Sequence, residues 1–433
     1  MLCVGVSVLS DCMMSVLLTG MNIDANPNPA LERSRKKVLI VVSPIWEESA
    51  VKILTGIARC QRKFGGWEIQ LDNEGLSLKD ESWYTKQKWD GVISRHVNAF
   101  QVEMCRRLGC PLVDVNNARP FAGVPNVALN NVAIGQLGGE HLIDRGFSQF
   151  GFCGYSNLAW SLDRRKGFSE ALAVTGRSCK VLESEHPVYE SWHCTPDWQT
   201  REQEAIAAWL AAMPKPVGVM ACNDFLALSV IAAAAHAGLR VPEDVAVLGA
   251  NDDTIRCEMS HPPLSSVASS HVLSGYRAAE ILELLMSGQS IEGMDLVVDP
   301  DEVVTRQSTD ILAVEDKRIA AAVRFISQNA CKGITVGDVL KHAGMARTQL
   351  EEKFRQCFGR SPQAEIRRVQ LARIRNLLLT TDLPLRAISE IAGFAHPEYM
   401  IVFFKREVGE SPGRYRRRAS VSRSIDNEGD DEV

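Results

Sequence analysis

Apolar positions along the first three-quarters of the chain follow two alternating rhythms. The run Val38-Leu39-Ile40-Val41-Val42 is continuous, β-branched and too short for a buried helix, which predicts a buried strand. Ala50, Ile53, Leu54, Ile57 and Ala58 then recur at helical spacing up to the Gly65-Gly66 break, and Trp67 to Leu71 returns to a strand. The same reading predicts strands at 91–93, 111–115, 150–154, 217–221 and 245–249, and helices at 102–108, 133–145, 164–175, 203–213 and 225–237. Such alternation implies parallel sheets covered on both faces. At about 270 residues it exceeds one compact sheet, so two α/β lobes are expected.

From residue 318 to 418 the period is helical throughout, and an offset of 49 to 50 residues superimposes the segment on itself. Ala343-Gly344-Met345 matches Ala392-Gly393-Phe394, Phe354 matches Phe404, and Gly359-x-Ser361-Pro362 matches Gly409-x-Ser411-Pro412. Each copy predicts a short amphipathic helix (336–342; 385–391), a turn at Gly, and a second helix with polar residues at its start (348–357; 398–408). A longer helix at 363–379 joins them. This is a duplicated helix-turn-helix, in which the second helix of each copy enters a DNA major groove.

Charge supports that division. The 433 residues carry a formal charge of −5, but residues 317–418 hold 20 basic and 9 acidic side chains, whereas residues 1–316 hold 27 and 39. A basic block appended to an acidic body suggests a polyanion-binding module coupled to something else. The twelve cysteines contain no C-x-x-C pair and read as scattered thiols of a reducing, cytoplasmic compartment, with no metal and no cofactor expected. No apolar run approaches the ~18 residues of a membrane span. Residues 1–35 read as a disordered extension or a misassigned start, with Met21 an alternative, and residues 419–433 as an acidic disordered tail. G-x-S-x-G, H-E-x-x-H and phosphate-cradling motifs are missing, so no catalysis is expected.

In open parallel sheets ligands bind beyond the carboxyl ends of the strands. That rule selects Trp46 after the first strand, Trp160 and Arg164 after the 150–154 strand, Asn223 and Asp224 after 217–221, and Asn251, Asp252 and Asp253 after 245–249. Carboxylates, amides, a guanidinium fork and flat indoles suit a small polyol or sugar. The alternative is that the Asp and Asn residues cap the following helices and that Trp160 fills a core.

The segments 217–224, 238–249 and 262–267, with Arg164-x-x-Gly167-Phe168, resemble the effector domain of the LacI/GalR repressors and periplasmic sugar-binding proteins, and residues 36–310 fit that fold. The resemblance implies that Arg164, Asp224 and Asn251 contact sugar hydroxyls. Asn251 departs from the Asp usual there, which alters the hydroxyl pattern satisfied. Residues 311–418 resemble the AraC/XylS-type DNA-binding domain. By that resemblance Arg347, Thr348, Glu351, His396, Glu398 and Tyr399 are base-edge candidates. Lys353, Arg355, Lys405, Arg406, Arg414, Arg416, Arg417 and Arg418 are phosphate contacts or solvated charge. Pro397 and Val402 stand where relatives more often carry polar residues.

A LacI-like sensor ahead of an AraC-type domain, joined at Arg306-x-Ser308-Thr309-Asp310, resembles regulators of pentose operons. The implied function is a transcriptional activator controlled by xylose or a related sugar. Its partners would be double-stranded DNA, a small sugar effector and a second copy in a homodimer, with RNA polymerase a further candidate and no membrane. A solute-binding protein without a transcriptional role is the rival reading.

Overall fold

A computed structural model describes residues 35–42, 47–95, 97–115, 121–184, 196–289, 295–314 and 316–416. Residues 1–34, the strand-end loop with Trp46, Arg417, Arg418 and the acidic tail lie outside these residues. The first lobe opens with β1 (Lys36–Val41), α1 (Glu48–Phe64), β2 (Trp67–Asp72), α2 (Ser82–Thr85), β3 (Gly91–Ser94), α3 (Ala99–Leu108), β4 (Leu112–Val115) and β5 (Asn126–Leu129). The chain crosses into the second lobe for α4 (Asn131–Asp144), β6 (Gln149–Tyr155), α5 (Ala159–Ala173), β7 (Lys180–Ser184), α6 (Pro196–Ala211), β8 (Val217–Ala221), α7 (Asp224–His236), β9 (Val245–Asn251), α8 (Thr254–Met259) and β10 (Ser265–Ala268). It returns for α9 (His271–Met286) and β11 (Asp295–Val298), then crosses a last time into β12 (Val303–Val304).

Two six-stranded sheets result, ordered β11-β5-β4-β3-β1-β2 and β12-β10-β9-β8-β6-β7. All pairings are parallel except β10 with β12. The predicted strands lie in these sheets, and β5, β7, β10, β11 and β12 are additions to them. Helix α5 begins at Ala159, five residues before the predicted start, so Arg164 sits inside the helix and not at its edge. The three crossings meet at a hinge. Asn130 Nδ2–H donates to Asp299 Oδ1 (2.8 Å), and Ser270 Oγ–H donates to Asp301 Oδ1 (2.6 Å).

After the sensor come α10 (Lys317–Asn329), α11 (Val336–Ala343), α12 (Arg347–Phe358), α13 (Pro362–Thr380), α14 (Leu385–Ile391) and α15 (Pro397–Val408). They form two small cores. Ile319, Val323, Ile326, Val339, Leu350, Phe354 and Phe358 build the first, and Ile374, Leu378, Ile388, Met400, Phe403 and Phe404 the second. Helix α13 serves both, placing Ile366 in the first and Ile374 in the second. Between them Gln370, 3% exposed, donates through Nε2–H to Ala330 O (3.2 Å) and Ala392 O (3.0 Å), tying the two motifs together. At the second turn Gly393 has φ 77°, and a Cβ there would stand 2.6 Å from Cys331 O. Both the conformation and the approach require glycine.

Candidate effector cleft and nucleic-acid interface

A cleft opens between the lobes and is lined by Glu47, Ser49, Asn223, Asp224, Phe225, Asn251, Asp253 and Arg256. The second lobe supplies it from the ends of β8 and β9. Asn223 Oδ1 accepts the Leu226 N–H (2.8 Å), so this residue both caps α7 and faces the cleft. Asp224 caps nothing. Its carboxylate, 2% exposed, accepts the Ser266 hydroxyl (2.5 Å) and the Asp253 N–H (2.8 Å). Burial pushes its pKa up to about 6 against those two hydrogen bonds.

β9 ends in a strained turn: Asn251 has φ 110° and Asp252 φ 51°, a region that Asn and Asp tolerate better than most residues. Arg164 fixes this turn from behind. Its Nη2–H donates to Asn251 Oδ1 (2.9 Å), its Nη1–H to Cys222 O (2.6 Å) and its Nε–H to Asn131 Oδ1 (3.0 Å). Burial brings its pKa down to about 10. Trp160 stacks on the guanidinium at 5.1 Å and meets Tyr155 edge-on. Of the described ligand candidates, Asp224 and Asn251 line the cleft, while Arg164 and Trp160 stand one layer behind.

The first lobe reaches across. Lys52 Nζ donates to Asp252 O (2.7 Å), and Glu48 Oε1 accepts the Thr254 hydroxyl (3.0 Å). Burial alone would raise the Glu48 carboxyl, but Lys52 and Thr254 hold it below its usual value. These contacts latch α1 to the β9–α8 turn.

On the helical unit, Met400, Phe403 and Phe404 bury one face of α15, leaving Glu398, Tyr399 (70% exposed), Val402, Lys405 and Arg406 on the other with His396 just before it. Arg406 pairs with Glu407 (2.7 Å). On α12, Arg347 and Thr348 are exposed, and Arg347 pairs with Glu351 one turn on (3.0 Å). Lys353 is engaged elsewhere, by Asp316 at the start of α10, whose carboxyl it holds down to about 2. Arg416 donates to Leu383 O (2.5 Å) and Arg414 stands over Glu410 (3.8 Å). Arg355 is exposed. The outward faces of both second helices thus carry the base-edge candidates, flanked by cations.

The periplasmic binding protein-like domain family matches residues 140–309, and a helix-turn-helix domain family matches residues 339–418. The xylose operon regulatory protein of Haemophilus influenzae is 28% identical over 357 residues, 81% of this chain and 90% of that protein. The Escherichia coli K12 protein of the same name is 28% identical over 359 residues, 81% and 89%. The solved structure of a xylose-binding transcription activator superimposes with TM-score 0.55 at 25% identity, covering 89% of this chain and 99% of that one. The chain is a DNA-binding transcriptional regulator, a homologue of the xylose operon regulatory proteins.

In this regulator the sensor grips the reader directly. Asp144, at the C-terminus of α4, pairs with Arg360 and with Arg368 (2.7 Å), and Glu365 completes the cluster. Burial still pushes the Asp144 carboxyl up against the pull of both guanidiniums. Arg177 donates to Gln356 O (2.9 Å) and Cys357 O (2.7 Å), two carbonyls at the negative end of α12. Ala313 N–H donates to Arg145 O (2.8 Å), fastening the linker. Sequence reasoning passed over Glu47, Glu48, Ser49, Lys52, Asn131, Ser266 and Asp144. Each acts through a partner distant in the chain, and no local pattern marks it. Among the described residues no cluster of metal-ligating side chains occurs, and no helix is long and apolar enough to cross a membrane.

Proposed function

We propose that this regulator answers to a small sugar, xylose or a related one, held between the lobes. Asp224 and Asn251 receive its hydroxyls, Arg164 and Trp160 set the Asn251 turn, and Trp46 adds an aromatic face. The regulator acts as a homodimer in the cytoplasm, activates transcription beside RNA polymerase, and leaves its effector chemically unchanged. Arg347, Thr348, Glu351, His396, Glu398 and Tyr399 read bases, and Lys405, Arg406 and a released Lys353 meet phosphates.

The observation that carries this reading is one helix. α4 presents Asn131 to Arg164 at the cleft and Asp144 to Arg360 and Arg368 at the reader, so its two ends span about 20 Å at ~1.5 Å per residue. Effector binding that shifts Arg164 therefore moves a rigid element seated on the DNA-binding unit. Such coupling requires only that the effector favour one arrangement. A gel shift of the full chain on its own upstream region, with and without a panel of pentoses and hexoses, tests the reading. A sugar that changes operator affinity supports it. No preference for that fragment over random duplex, with or without sugar, would overturn it.

A further inference from the structure

Two buried basic side chains of the first lobe, Arg95 beside the cleft and His271 at the start of α9, have hydrogen-bonding capacity that no described residue uses. Arg95, 9% exposed at the end of β3, donates through Nη2–H to Ser49 Oγ (3.1 Å) and pairs through Nη1 with Glu47 (2.9 Å), two residues that line the cleft. Its Nε–H has no acceptor among the described residues. His271, 2% exposed and first in the sixteen-residue α9, has no partner at either ring nitrogen among the described residues. Native structures rarely leave such groups unmet without a ligand, water or ion to meet them.

The charge around the ring is one-sided. Burial first, and then Arg95, Arg164 and Lys52, hold the His271 pKa well below its usual value. The positive end of the α9 dipole adds to them. Carboxylates of the cleft are already engaged: Glu47 by Arg95, Glu48 by Lys52, Asp253 by Arg256, Asp252 by Arg306, and Asp224 by Ser266 and a backbone N–H. Arg164 is held by three neutral oxygens and no carboxylate. What this end of the cleft lacks, among the described residues, is an acceptor for the Arg95 Nε–H and a partner for the His271 ring.

We propose that the effector is a sugar acid, an aldonate or uronate, whose carboxylate docks at Arg95 and His271 while its hydroxyls face Asp224 and Asn251. The inference rests on the cleft being the effector site. One guanidinium N–H and one imidazole N–H match the two oxygens of a carboxylate and would leave part of a phosphate uncovered.

Calorimetry on the full chain compares D-xylonate with D-xylose, D-gluconate with D-glucose, D-galacturonate with D-galactose, and includes D-glucose 6-phosphate. At least one acid is expected to bind tenfold or more tightly than its neutral parent. Arg95→Gln and His271→Leu should each bring that ratio close to one, with Arg95→Lys keeping part of it. If a variant does not fold, the ratio in the unaltered protein decides alone. Equal or tighter binding of the neutral sugars overturns the acid assignment and leaves the sugar-sensor reading standing. Preference for the phosphate ester overturns the carboxylate, and binding of none of these probes overturns both readings.

Discussion

A Cβ on Gly135 would stand 2.0 Å from the carbonyl oxygen of Arg164, and one on Gly167 would stand 1.9 Å from that of Val132. The backbones of α4 and α5 touch through this reciprocal pair, which holds Arg164 within reach of Asn131. Gly56 and Gly275 repeat the device between α1 and α9 in the other lobe, at 1.9 and 2.0 Å. Backbone cannot retreat as a side-chain tip can, so Gly167→Ala should destabilise the sensor by ~1–3 kcal/mol or more and abolish the effector response. Thermal unfolding and calorimetry check this; an unchanged midpoint with normal effector affinity would remove the packing argument.

Effector affinity should depend on pH through Asp224. Its folded pKa of about 6 lies above the ordinary 3.8, because burial outweighs the help of Ser266 and the Asp253 N–H, and the Asp252 and Asp253 carboxylates add to the rise. Above pH 6 the carboxylate is ionised and accepts hydroxyl hydrogens; below, a proton occupies one acceptor and affinity falls. The sign for stability is opposite. A raised carboxyl binds protons more readily in the folded state, so its contribution becomes less favourable as pH rises from 3.8 to 6 and stays so above. Asp224→Asn should flatten the affinity profile between pH 5 and 7, read by titration at fixed ionic strength; a profile as steep as before would assign the titration to another group.

The pattern of the chain made the lobes legible, and the reason is local. β1, β8 and β9 are apolar runs buried on both faces, which periodicity detects without knowing the partner strand. β10 is Ser265-Ser266-Val267-Ala268, and its serine hydroxyls serve Asp224 and the linker by way of Arg306; nothing in four such residues announces a central strand. β11 follows a helix that has changed lobes, and no local signal records a crossing. Short motifs singled out Arg164, Asp224 and Asn251, and the structure sets the last two on the cleft wall with Arg164 bonded to Asn251. Arg95, His271 and Asp144 were not, since their meaning lies in what faces them from far along the chain. The duplicated reader was the clearest part, because a repeat supplies its own control: Gly344 and Gly393 are both in the left-handed region at equivalent turns.

Base and phosphate contacts should separate by salt dependence. Arg347 is exposed and, among the described residues, pairs with Glu351, one turn away on the same helix. Arg347→Ala should cost ~1–3 kcal/mol on the preferred operator and relax preference at one base position. Lys405→Ala should weaken all duplexes alike and reduce the salt slope by about 1. Fluorescence anisotropy across a salt series on matched and mismatched operators distinguishes the two. A uniform loss for Arg347→Ala would make it a phosphate contact.

Coupling between cleft and reader should fail at Asp144 while both ends keep working. The side chain sits at the far end of α4 from Asn131, half-buried against Arg360 and Arg368. Removing one member of such a cluster leaves the others short of a counter-charge, a loss of ~3–5 kcal/mol where burial is complete, moderated here because Glu365 still faces both guanidiniums. Asp144→Asn is therefore expected to loosen the seat of the DNA-binding unit, so that saturating effector no longer changes operator affinity although calorimetry still detects effector binding. Arg177→Ala, which releases the last carbonyls of α12, should weaken the same coupling by a separate route. Deleting residues 317–433 should leave effector affinity within a few-fold, since the described residues that line the cleft end at Arg256. Full effector-dependent change in operator affinity in both point variants would show that the signal does not travel through α4, and would leave rearrangement at a dimer surface as the route.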